Sequence, residues 1–327
     1  MSGRNGIEKL GKAKAKSERR GGLLAVIGTY NWIAVASELF RRAGITTECQ
    51  PDLPGRLAIL QWAWQNRRKY AAYHHVRGGN LFATLVLRII SRKKQVWHWI
   101  GTDVTLFKDT VNQGGIKAIL MRLAVRRFVT CHLCDSPGLQ SELRHLGLCA
   151  SVVRLLPARI EAKVEPLPVL PAVLSYWHSL HRAFYNASMV FEIARRFSGV
   201  PFMIVGDNGD GIADVPENIR FLGPRTDMDN VYSQITVYLR FPEHDSLSAM
   251  VLEVLARGRY VIYNQDHQVS GVSLAHDVDS ACRLLKDLLD KCEPNYTGAE
   301  FVRRNYSLAE QSRSLLDVYI KSGMLPA

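Results

Sequence analysis

Short apolar runs that close on a glycine or a polar turn and hand over to an amphipathic stretch recur along this chain. That alternation confines the fold to parallel strands joined by crossover helices. LLAVIG at 23–28 is the first run, and IAVASELFRRAG follows as a helix that stops at Gly44. A Trp-bearing amphipathic helix around 55–70, the strand AAYHHV, a helix over 80–91 and the strand QVWHWI before Gly101 continue the pattern. GIKAILMRLAVRRF predicts a basic helix ahead of the strand VTCHLC, SPGLQSELRHLG a Pro-led helix ending at Gly147, and VVRLLP the last strand of a first domain.

The Pro-bearing segment EAKVEPLPVLP, between Pro157 and Pro171, reads as a linker, after which the pattern restarts. VLSYW, PFMIVG, IRFLG and VYLR are strands, and NASMVFEIARRF and TDMDNVYSQI are helices. Amphipathic helices follow over 278–292 and in SLAEQSRSLLDVYIKSG. The expected organisation is a mobile basic tail over 1–20, a Rossmann-like domain over 21–165, a second over 166–305, and a helix over 306–327 that returns to the first domain.

At 327 residues the chain has room for two cores. No run approaches the length of a membrane span, and the N-terminus lacks the apolar segment of a signal peptide, so the expected location is cytoplasmic. Six scattered cysteines with a single CxxC, Cys131 to Cys134, do not make a disulfide framework or a zinc site, and no structural zinc is expected. The net charge of +12 is uneven: residues 1–150 carry 24 Lys and Arg against 9 Asp and Glu, whereas 151–327 carry 18 against 21. The first domain is therefore expected to face something anionic: a membrane surface, a phosphate-linked lipid or a nucleic acid.

FPEHDSLSAMVLEVLARGRYVIY, residues 241–263, spaces Asp245 and Glu253 eight positions apart across a predicted loop-to-helix junction. A helix starting near 246–248 directs free N–H groups and its positive dipole end at whatever precedes it, which favours phosphate, and Glu253 lies about two turns further in. The alternative reading is an acidic loop before a core helix that buries Met250, Val251, Val254 and Leu255.

The order and spacing of PFMIVG, ENIRFLG, MDNVYSQITVYLR and HDSLSAMVLEVLARGRYVI resemble the nucleotide-sugar domain of family 4 glycosyltransferases, over about residues 173–263. The resemblance implies an α/β fold of two Rossmann-like domains facing a cleft, the GT-B architecture. It implies that Asp245, in place of the family's first Glu, contacts sugar hydroxyls, that Ser246, Leu247 and Ser248 hold phosphate through backbone N–H groups, and that Glu253 binds the ribose diol. Asp245 is one methylene shorter than the family residue, and Glu243 is the alternative. Gly206, closing PFMIVG, belongs to the same donor site. For the diphosphate clamp the resemblance implies Arg182, without the family's Lys-Gly, and Arg240 is a second candidate.

In the first half, HWIGTDV is similar to a His-Gly-Thr-Asp segment of such enzymes. The resemblance makes Asp103 a base or acceptor-positioning group, with Thr102 and His98 beside it, although Ile100 stands at the family's His position. The competing reading of Asp103 is a cap on the next turn or helix. HVRGGN adds His75, Gly78 and Gly79 as acceptor contacts, or an ordinary turn.

The implied activity is transfer of a sugar from a nucleoside-diphosphate sugar to a saccharide or lipid-linked saccharide in cell-surface polysaccharide or glycolipid synthesis. Retention of anomeric configuration is implied, and inversion is the outcome if Asp103 acts as base. No cofactor is expected, and the donor's base is undefined. TDMD, residues 226–229, is read as a helix cap rather than a metal motif. QWAWQNRRKY and GIKAILMRLAVRRF mix apolar residues with Arg and Lys, as suits a peripheral seat on the inner face of the cell membrane and a polyprenyl-diphosphate-linked acceptor. Packing on the sheet with solvated basic edges is the alternative reading. The alternatives are a sugar-nucleotide epimerase or hydrolase of the same fold and a non-catalytic anion- or nucleic-acid-binding protein. Nucleic acid is not the expected partner, since no known module is present.

Overall fold

A computed structural model describes residues 22–53, 55–77 and 80–325. They divide into two compact units: one runs up to Leu156 and resumes at Leu308, and the other spans Pro157–Ser307.

The first unit alternates β1 (Leu24–Gly28), α1 (Tyr30–Arg42), β2 (Thr47–Pro51), α2 (Arg56–Asn66), β3 (Ala72–Val76), α3 (Leu81–Ser91), β4 (Lys94–Trp99), α4 (Thr102–Asn112), α5 (Gly115–Phe128), β5 (Cys131–Cys134), α6 (Pro137–His145) and β6 (Ala150–Val152). Its six strands are parallel in the order β2-β1-β3-β4-β5-β6. β1 and β3 are buried at every position; β1 reads as an unbroken apolar run, whereas β3 carries the buried His74 and His75. Polar caps fix two helix starts: Asn80 accepts from the N–H groups of Phe82 and Ala83, and Ser136 accepts from Leu139 ahead of Pro137. Trp97 and Trp99 of β4 pack with Val104, Phe107, Val125 and Leu139 in one core cluster.

The second unit runs β7 (Val173–Tyr176), α7 (Ala187–Arg196), β8 (Phe202–Val205), β9 (Ile219–Gly223), α8 (Met228–Ser233), β10 (Val237–Arg240), α9 (Ala249–Ala256), β11 (Tyr260–Tyr263), β12 (Val272–Leu274), α10 (Val278–Leu289) and α11 (Tyr296–Asn305). Its six parallel strands are ordered β12-β11-β10-β7-β8-β9. The last helix, α12 (Leu308–Lys321), packs on α1 of the first unit. Tyr319 on α12 meets His74 Nδ1 at 2.6 Å and the edge of Phe40, Gln311 accepts from the Arg154 N–H at 2.9 Å, and Lys94 reaches the carbonyls of Ser322 and Gly323.

Four expectations need correction. The sequence reading missed the strands β2, β11 and β12 and the helices α4 and α11. The Trp-bearing helix ends at Asn66, short of residue 70. Residues 157–165 belong to the second unit rather than to the first, because they are tied down there: Arg257 donates to the Arg159 carbonyl, and the buried Arg259 donates to the carbonyls of Glu165 and Pro166. Asp227 precedes α8 but makes no side-chain cap, since Arg225 holds its carboxylate at 2.5 Å. The expected basic tail at 1–20 lies outside the described residues.

Candidate functional site

In the second unit, β8 and β10 flank β7, so the strand order reverses beside β7. The carboxyl ends of strands at such a reversal are where open α/β sheets take ligands. The chain leaving β10 delivers Asp245 to this edge, and the loop 178–186 after β7 lies against it: Glu243 N–H donates to the Phe184 carbonyl at 2.8 Å, and Asn186 donates to that of Phe241 at 2.7 Å. Parallel register sets Arg240 beside Tyr263. Both then converge on one carboxylate oxygen, for Asp245 Oδ2 accepts from Arg240 Nε at 2.6 Å and from Tyr263 Oη at 2.6 Å. Burial alone would raise the Asp245 carboxyl, but the Arg240 charge and these two donors outweigh it and hold the group below its ordinary value. Arg240 is itself fixed by Tyr238 Oη at 3.3 Å and by the ring of Tyr185, 5.5 Å away.

α9 begins at Ala249, capped by Ser248, whose Oγ accepts from the Met250 N–H. Glu253 is therefore just over one turn inside the helix rather than two. Leu247 holds φ +78°, a conformation costly for a branched residue that marks a backbone fixed by its surroundings. The Ser246 N–H, expected to hold phosphate, is taken by Asp245 Oδ1 at 3.0 Å. The N–H groups of Leu247, Ser248 and Ala249 have no hydrogen-bond partner among the described residues. Glu253 is 5% exposed, and its Oε2 accepts from Tyr232 Oη at 2.5 Å; burial raises its carboxyl despite that bond.

Gly206 closes β8 with φ +94°, and a Cβ there would stand 2.5 Å from the Trp177 carbonyl, so only glycine fits. Arg182 departs from the open clamp that the sequence suggests. Its guanidinium grips Asp207 through Nε at 2.5 Å and Nη2 at 2.8 Å, and it also reaches the Asp210 carbonyl. An anion arriving there meets a bidentate pair. Glu243 is exposed.

In the first unit the order reverses between β1 and β3, and a cavity of about 490 Å³ lies there. Its walls include Trp62, His75, Arg77, Trp97, Trp99 and Asp103. Asp103 is both a cap and a cavity group: its carboxylate accepts from the N–H groups of Ile100, Gly101 and Val104, and it is 7% exposed. Burial raises its carboxyl to about 6, against the lowering effect of those bonds. His75 Nε2 lies 2.8 Å from Gln95 Oε1, and burial pushes the imidazole down to about 4.

His98 does not join this group. Alternation along β4 sends it away from Trp97 and Trp99, to the Val153 carbonyl at 2.7 Å and Asp135 at 3.2 Å. Thr102, the first residue of α4, is exposed and is not a cavity wall. Gly78 and Gly79 lie outside the described residues. Sequence reasoning missed Trp62, Asp52, Arg77 and Asn80 as cavity walls, and Tyr238 and Tyr263 around Arg240. Asp52, Arg77 and Tyr263 carried one local signal, their position at or just beyond the ends of strands, whereas Trp62 lies within α2 and Tyr238 within β10. The CxxC thiols are pushed up by burial, Cys131 to about 11 and Cys134 to about 12, so both stay protonated at neutral pH. No cluster of three metal-ligating side chains occurs among the described residues.

No protein-family model and no curated protein matches the chain. Solved structures do. HepE from Anabaena, in complex with UDP-glucose, superposes with a TM-score of 0.70 at 11% identity, over 91% of this chain and 99% of that one. Sucrose-phosphate synthase from Thermosynechococcus elongatus gives 0.69 at 10% identity, over 92% and 98%. A glycosyltransferase from Rickettsia africae gives 0.63 at 12%, over 93% and 99%. At such identities the likeness is one of fold. The expected fold class is the one found: α/β, with two parallel six-stranded sheets, as in GT-B glycosyltransferases.

Proposed function

We propose that this chain is a glycosyltransferase that moves a sugar from a nucleoside-diphosphate sugar to a saccharide or lipid-linked saccharide. The observation that carries the reading is the placement of Asp245 and Glu253 on either side of the α9 start, at the β7–β10 reversal, in a fold shared with a structure that holds UDP-glucose. The N–H groups of Leu247, Ser248 and Ala249 take the diphosphate, whose charge grows as the glycosyl bond breaks. Asp245 accepts hydroxyl hydrogen bonds from the sugar through the oxygen less committed to Arg240 and Tyr263. Arg240 sets a positive charge beside the leaving group, and Arg182 contributes on exchanging Asp207 for phosphate. Glu253 takes the ribose diol, exchanging the Tyr232 hydroxyl for the substrate's.

The acceptor belongs to the Asp103 cavity, where the carboxylate accepts a hydrogen bond from an acceptor hydroxyl and positions it. Retention of configuration, operation without a divalent cation and peripheral attachment to the inner face of the cell membrane complete the reading. The cation is dispensable in it because the arginines and the helix start neutralise the diphosphate. No helix among the described residues is long and apolar enough to cross a membrane.

Calorimetric titration with UDP, GDP, ADP and their sugar conjugates tests this. One diphosphate series binds tightly, and Glu253→Gln weakens it at least about tenfold, the worth of a charge-assisted hydrogen bond. A second reading, a non-catalytic anion-binding protein, is favoured by the basic excess of residues 1–150, which carry 24 Lys and Arg against 9 Asp and Glu. In that case inorganic diphosphate binds as well as any nucleotide, and Glu253→Gln changes nothing.

A further inference from the structure

Among the described residues of the first unit, the nine exposed large apolar side chains all lie on α2 to α5: Leu57, Leu60 and Trp64 on α2, Ile89 on α3, Leu106 on α4, and Ile116, Ile119, Leu120 and Leu123 on α5. α2 packs on α3, and α5 packs on both α3 and α4, so these helices form one continuous layer. Among the described residues, α1, α6 and α12 expose none. Ile116 is 77% exposed and Leu120 60%. Between α3 and α5 an open groove of about 950 Å³ is walled by Leu81, Leu85, Leu120, Leu123 and Phe128, with Arg127 the one charged residue among its described walls.

A soluble monomer seldom leaves so much contiguous apolar surface in water. The surroundings state what covers it. Residues 81–128 carry nine Lys and Arg against two Asp, and one of those, Asp103, is buried. Arg122, Arg126 and Arg127 stand exposed on α5 itself. Apolar side chains ringed by arginine on a helix that lies along the surface match the interface of an anionic leaflet. Trp64, with Arg67 4.2 Å over its ring, adds an amphipathic group of the kind that settles at headgroup depth.

Leu106 and Met121 belong both to this layer and to the walls of the Asp103 cavity, and Met121 also walls the groove. We infer that α2 to α5 form a seat on an anionic bilayer and that the Asp103 cavity opens beside that seat, so that the acceptor is presented by a lipid. The last clause rests on the proposed transferase activity, whereas the seat does not.

Flotation of the full chain with vesicles of 70% phosphatidylcholine and 30% phosphatidylglycerol, against pure phosphatidylcholine, tests the seat. The protein floats with the anionic vesicles. Leu120→Asp with Leu123→Asp lowers partitioning at least about tenfold, and Arg122→Ala lowers it about fivefold. Val169→Asp, at an exposed apolar residue of the second unit, leaves it unchanged. Unchanged nucleotide binding and melting temperature certify that each variant is folded. Three results overturn the inference: wild-type protein that does not float, a Leu120→Asp/Leu123→Asp variant that floats like wild type, or an apolar face that instead makes a dimer abolished by that substitution. Loss of nucleotide binding in the wild type would count against the transferase reading alone.

Discussion

Replacing Asp103 by asparagine separates the cost of a buried charge from its use. The carboxyl is pushed from 3.8 to about 6 by burial. At about 1.4 kcal/mol per pKa unit, ionisation inside the fold costs about 3 kcal/mol relative to the unfolded chain. The sign follows from proton binding: between those two values the native state holds a proton that the unfolded state has lost, so this group's contribution is full below the lower value and is gone once the pH exceeds about 6. The asparagine side chain has no such slope, and its Oδ1 still accepts from the turn N–H groups. The stability of Asp103→Asn relative to wild type should therefore rise by about 2 kcal/mol between pH 4 and pH 7.5, worked from the same two pKa values. Urea denaturation of both proteins at four pH values measures this, and every other titrating group cancels in the difference. If the carboxylate is also the acceptor-side base, the same variant keeps donor binding and loses turnover. A difference in stability that stays flat with pH would refute the argument from burial, whatever happened to activity.

Two further outcomes follow from the geometry. Tyr263→Phe removes one of the two donors on Asp245 Oδ2 and should weaken binding of the donor sugar nucleotide about fivefold, by calorimetry, with little change for the bare diphosphate. His75 and His132 are held neutral, each pushed down to about 4 by burial, so the unfolded chain takes up their protons first on acidification. Stability present above about pH 6.5 should fall by about 2 kcal/mol per histidine at pH 5, and a urea midpoint that holds between pH 7 and 5 would contradict it.

The order of most strands and helices was legible because apolar-rich runs alternate with amphipathic stretches, as a parallel sheet with crossover helices requires. β2 and β12 were not, since each is a partly solvated edge strand, Thr47–Pro51 or Val272–Leu274, with no apolar run. In the site, Asp245 and Glu253 share a loop-helix segment, and local spacing finds them. The Arg240–Asp245–Tyr263 cluster depends on β10 and β11 lying in one register, and the Asp103 cavity gathers side chains from β1, β3 and β4. Such neighbours are created by pairing across the sheet, and no linear window contains them. Arg182 was legible as a basic residue near the right strand, but its engagement by Asp207, 25 positions later, was not.

The return of α12 to the first unit has a consequence for how the chain is made. Phe40, His74 and Tyr319 form one buried aromatic cluster, and Tyr319 is synthesised after the whole of the second unit. During synthesis the first unit must wait, with the α1 side of its sheet uncovered, until all of the second has emerged, although its own strands were translated first. A chain halted at Ser307 therefore leaves the earlier unit unfinished while the later one, Pro157–Ser307, already has every strand it needs.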